Sequence, residues 1–327
     1  MKKNTSYTLI FWMCLSILLY QMLSSLVEIK LGSLRIETPL WNTSLGRLLQ
    51  EEWVGKIFNL FCAFFGCFLI HTLNVQIQWC ERESYYPTLV YALSLGLFFL
   101  SKDASSFLLC SILWIEWFYV LLTHDGKKED SCSVAFNLSL LLSIISLIDI
   151  SALLFYPLLF VGIWKINVYS RKSILLSLIG LLLPIFYFGF TCWFLRDTSF
   201  FISHFQAFPN LITWQWEDSY FCYMVYTIFS LAFMGWISYL TRKGEIHHSL
   251  RIKKMLEYII ILFLVASSVV LIGARGKMSS IILIHILSSL VIGKFLSYEE
   301  DIPHKDVVLP VFVGLYIFLI SLGIWMF

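Results

Sequence analysis

The residues able to do chemistry are few, and they are scattered through apolar sequence. Glu37 offers a carboxylate placed to act as a general base toward a hydroxyl acceptor. It also reads as a solvated loop acid beside Arg35. Asp103 and Asp149 sit at predicted turns, Ser101-Lys102-Asp103 and Asp149-Ile150-Ser151. Each of these two suits a helix N-cap as well as a reactive carboxylate. Carried to one face, Glu37, Asp103 and Asp149 form the single catalytic constellation the sequence permits. Glu116 stands in the middle of the run LLCSILWIEWFYVLL. An acid within lipid is costly and is expected to face the protein interior and find a partner, with His71 and His285 as the candidates. Its role there is either a structural hydrogen bond or a functional one, as a relay or in holding a ligand. Arg275 and Lys277 lie in the glycine turn GARGK, where two cations suit a lipid phosphate or pyrophosphate, or simple headgroup anchoring. His204 and the Glu217-Asp218 pair are too few for a metal site, and none of the eight cysteines forms a CxxC pair. No metal is therefore expected, and nothing specifies a cofactor. Walker A, GxSxG, HExxH and dinucleotide-binding signatures are absent from the sequence.

What must position these residues is a set of membrane helices. Of the 327 residues, 59% are hydrophobic and 13% charged, about half the charge of an ordinary soluble domain, where it is roughly 25%. The mean hydropathy is +0.81. Apolar segments cover roughly 7–27, 54–75, 85–101, 105–123, 134–149, 151–167, 173–195, 219–240, 257–274, 278–296 and 308–327. They lack strand-like alternation, so the expected fold is all-α: a polytopic transmembrane helical bundle of about 11 segments in one domain over 1–327. The pair at 134–167 is slightly short for two spans and reads as a helical hairpin with Asp149 at its tip. Lys and Arg number thirteen on the side of the N-terminus and of loop 241–256, and eight on the other. That bias predicts a cytoplasmic N-terminus. Lys165 and Lys294 are expected to snorkel to the same side. Loop 28–53 is expected to carry a surface helix on the outer leaflet, and loop 196–218 presents aromatic residues to the interface. A net charge of +2, carried in short loops, does not suggest nucleic acid.

The run Leu154-Phe155-Tyr156-Pro157-Leu158-Leu159-Phe160 with Trp164, the patch Arg171-Lys172 and the span Leu176 to Pro184 resemble an uncharacterised family of polytopic membrane proteins from Bacteroidota. The loop Arg251-Ile252-Lys253-Lys254 and the near-terminal hairpin are similar too. That family supplies no functional residues. More distantly, the order of elements over 7–196 resembles the membrane core of lipid-linked-sugar glycosyltransferases of the type with many spans and a large first outer loop. A catalytic or metal-binding acid in the first outer loop is what this resemblance implies. Here that loop offers Glu28, Glu37, Glu51 and Glu52, with no Asp.

The expected function is accordingly that of an integral protein of a bacterial inner membrane, with the bilayer and a lipid-linked or envelope substrate as its partners. Two alternatives stand beside it. One is a non-catalytic assembly partner or degenerate relative, and the other is a secondary transporter using Glu116.

Overall fold

The computed structural model describes residues 52–80, 84–95, 104–124, 131–165, 169–196, 198–206, 208, 220–242, 250–272, 278–297, 308–315 and 317–318. The expected first span, the loop 28–53, Glu37, Asp103, Arg275 and Lys277 lie outside the described residues, apart from Glu52 and Trp53.

Every described element is helical. In chain order they are α1 (Glu52–Gln76), α2 (Tyr86–Ser94), α3 (Ala104–Thr123), α4 (Ser131–Ile148), a 3-10 turn (Ile150–Phe155), α5 (Tyr156–Lys165), α6 (Arg171–Phe194), α7 (Thr198–Gln206), α8 (Tyr220–Arg242), α9 (Leu250–Leu271) and α10 (Met278–Ser297). A further helix covers 308–315. Five helices, in α1, α3, α6, α9 and α10, are long and apolar enough to cross a bilayer, and three shorter apolar helices fall in α4, the 3-10 turn with α5, and α8. The expected hairpin is present, with Asp149 between α4 and the 3-10 turn.

The molecule is built around α10. Every residue from Met278 to Leu296 is buried, and α2, α3, α8, α9 and the 3-10 turn pack against it. Close approach is possible because the contact residues are small. At Gly293, an added Cβ would meet Pro87 Cγ at 2.7 Å and the Pro87 backbone closer still. Ser288, Ser289 and Ser297 of α10 bond back to their own helix, as Ser289 Oγ does to the Ile286 carbonyl at 2.7 Å.

α6 is the opposite case. It leans on α4 and touches α7, and the rest of its surface is uncovered. Leu182, Phe186, Tyr187, Trp193 and Phe194 all stand exposed. An apolar face of that extent is consistent with a lipid-facing surface. A Cβ on Gly180 would meet the Phe136 carbonyl at 2.6 Å, so glycine sets how closely α6 approaches α4. Pro184 runs within the helix and leaves the Gly180 carbonyl without its helical donor. Ser143 of α4 donates to the next carbonyl, that of Leu181, at 2.7 Å. A hydroxyl from a neighbouring helix thus serves the backbone at the break. At its start, α6 is fixed by a reciprocal cap between Ser170 and Ser173.

Candidate functional site

Chemistry-bearing side chains gather at the two ends of the bundle. At the first end is Asp149. Its Oδ1 accepts from the Ser151 N–H at 3.1 Å, and its Oδ2 accepts from the Ser151 hydroxyl. The same oxygen accepts from the Ser279 N–H at 2.7 Å and the Ser279 hydroxyl at 2.5 Å. The carboxylate is 6% exposed. It therefore caps the 3-10 turn and the first turn of α10 together, where backbone N–H groups have no helical acceptor. The turn role expected for Asp149 is present, and a second, unforeseen partner, Ser279, comes with it. The tip is buried, and both carboxylate oxygens are engaged as acceptors.

His204 of α7 completes this end. Its Nε2 hydrogen-bonds the Ser146 carbonyl in the last turn of α4 at 2.9 Å, serving an acceptor that the helix cannot satisfy itself. Burial lowers the His204 pKa below the ordinary 6.5, while the Ser146 carbonyl and the Asp149 charge work against that shift. Three regions expected on the outer face thus converge here: the hairpin tip, the 196–218 loop and the start of α10. Ser279 lies two residues beyond Lys277 in sequence.

At the opposite end, Lys294 does not snorkel to water. It is 4% exposed, donates to the Trp79 carbonyl and lies over the Trp79 ring, 4.9 Å from its centroid. Trp79 in turn donates from Nε1 to the Leu290 carbonyl at 2.8 Å. Gln78 takes a left-handed φ of 51° after α1, and the chain then brings Trp79 into the core. Lys165 is engaged too, by Glu257 of α9 at 2.6 Å.

The sequence's other intramembrane candidates remain apart. Glu116 is half-buried on the less covered stripe of α3 with Ile112, Leu113 and Tyr119, and it makes no hydrogen bond or ion pair to a described residue. His71 stacks on Tyr85 with ring centroids 4.6 Å apart, and His285 stacks on Tyr226 at 4.5 Å. Neither histidine meets Glu116. Among the described residues no group of three metal-ligating side chains comes together.

A cleft that sequence reasoning missed lies between α8 and α9. Its volume is about 480 Å³, and its walls are Leu231, Met234, Gly235, Leu256, Ile260, Phe263 and Leu264. Tyr239, Lys253 and Glu257 line one end. Lys253 begins the lining on α9 and Leu264 ends it, a rise of roughly 16 Å at 1.5 Å per residue. That is about one leaflet of a hydrocarbon core roughly 30 Å thick. A Cβ built on Gly235 has nothing within 4 Å, so the cleft is open there. The signal available in sequence was the basic loop TRKGEIHHSLRIKK, which reads there as a topological anchor. No protein-family model, curated protein or solved structure matches the chain.

Proposed function

We propose that this chain is a multi-pass membrane protein that holds one chain of an amphiphilic lipid, such as a lipid-linked or envelope substrate, in the cleft between α8 and α9. The observation that carries this reading is the lining of the cleft: apolar walls about one leaflet long, with the polar residues among the described lining gathered at one end. An amphiphile has the same polarity profile. The volume also falls within the ~300–1,000 Å³ usual for ligand sites. The short pair around Asp149 and the proline-containing α6 are part of the element order from which a glycosyltransferase-like core is expected, and that core belongs to this proposal. The charge bias supports placing the Lys253 end on the cytoplasmic side of an inner membrane.

A non-catalytic form of this function is favoured by Asp149, whose oxygens are taken up by Ser151 and Ser279 rather than turned toward a substrate. A transporter built on Glu116 draws no support from the described residues, none of which hydrogen-bonds or ion-pairs with it. The experiment that tests the reading is lipid retention by the purified chain, compared with a Gly235→Trp variant that fills the cleft.

A further inference from the structure

We infer that the cleft selects a lipid with a phosphate-bearing, anionic head, and that the Lys165–Glu257 ion pair sets this selectivity. The inference rests on the reading that the cleft holds a lipid chain.

Charge complementarity points to an anion. Lys253 lines the polar end of the cleft, and Lys254 follows it, exposed, on α9. Glu257 is the one carboxylate among the lining residues, and left alone it would repel a phosphate. It is engaged instead by Lys165, which reaches over from the last turn of α5 at 2.6 Å. Among the described residues, Lys165, Lys253 and Lys254 all act on this one carboxylate, and their balance is positive. This pair is partly exposed, 25% for Lys165 and 48% for Glu257, so it adds little to folding. Its effect is on the field at the head of the cleft.

The placement of the lysines on α9 supports the same conclusion. Lys253 and Lys254 sit near the N-terminus of the helix, and no acid occupies its first turn. The helix dipole is positive there and disfavours cations. Lysines in that position weaken the helix and strengthen an anion site. A phosphate ester at the head of the cleft would meet both the dipole and the ammonium groups.

The test uses the full chain, purified in detergent with equal amounts of phosphatidylglycerol and phosphatidylcholine of identical acyl chains. Retained lipid is counted by native mass spectrometry. The wild type is expected to retain phosphatidylglycerol in preference. Lys253→Ala is expected to lower that preference about five-fold, the usual effect of one lysine at an anionic membrane surface. Lys165→Ala should lower it as well, and Lys165→Ala combined with Glu257→Ala should restore it, which mere unfolding would not do. Equal retention of the two lipids by the wild type overturns the head-group assignment and leaves the cleft intact. An unchanged preference in Lys165→Ala overturns the role of the ion pair. Retention of neither lipid overturns the cleft reading, and this inference falls with it.

Discussion

Asp149 and Ser279, 130 residues apart in sequence, share two hydrogen bonds: the Ser279 N–H and hydroxyl both donate to Asp149 Oδ2, at 2.7 and 2.5 Å. The bonds fasten the hairpin tip to the first turn of the central helix, so one side chain holds two helix starts. Asp149→Ala leaves the Ser151 and Ser279 N–H groups buried without their acceptor, at a cost of roughly 1–3 kcal/mol each. A large fall in the thermal unfolding midpoint in detergent is expected. Ser279→Ala removes only the hydroxyl bond and should lower the midpoint less. Equal midpoints for wild type and Asp149→Ala would contradict the capping role.

The two packing glycines and the cleft glycine should respond in opposite ways. Gly293→Ala and Gly180→Ala place a methyl against Pro87 and against the Phe136 carbonyl. Forced separation of these helices typically costs about 1–3 kcal/mol. Gly235→Ala meets nothing within 4 Å and should leave the midpoint unchanged or raise it, since alanine favours helix by about 1 kcal/mol. Thermal unfolding of the three variants side by side checks the contrast.

His204 gives the docking of α7 a pH dependence. Burial holds its pKa below 6.5, so the docked state favours the neutral ring, and an undocked α7 takes up protons more readily. Docking is therefore complete above pH 6.5 and weakens as pH falls below that value. The Asp149 charge moderates the effect. The hydrogen-exchange protection of residues 198–206, taken relative to the intrinsic exchange rate at each pH, should fall between neutral and mildly acidic pH, and His204→Gln should make that protection insensitive over the interval.

Much of this architecture is legible in the residues themselves. An acid in an apolar run, followed two positions later by a serine, marked the hairpin tip and its cap. Ser279 was not legible, because its bond depends on a contact between segments far apart in sequence. Nor did sequence distinguish α6 from α10. Lipid-facing and core-facing surfaces are equally apolar in a membrane, so the least covered and the most buried long helices read alike. The buried serines of α10, Ser279, Ser280, Ser288 and Ser289, were the available hint, since small residues permit close packing. Lys294 misled for a related reason: a lysine near the end of a span ordinarily reaches water, but here the Trp79 carbonyl and ring take its place. The cleft was hidden because it belongs to neither α8 nor α9 alone.

The most direct measurement is the lipid bound to the purified chain, counted by native mass spectrometry after extensive detergent washing, for the wild type and for Gly235→Trp. The wild type should keep one lipid per chain. The indole of Gly235→Trp should occupy the open space at that position and abolish retention, with the unfolding midpoint preserved. A Gly235→Trp variant that folds normally and keeps its lipid as firmly as the wild type would contradict a lipid site between α8 and α9.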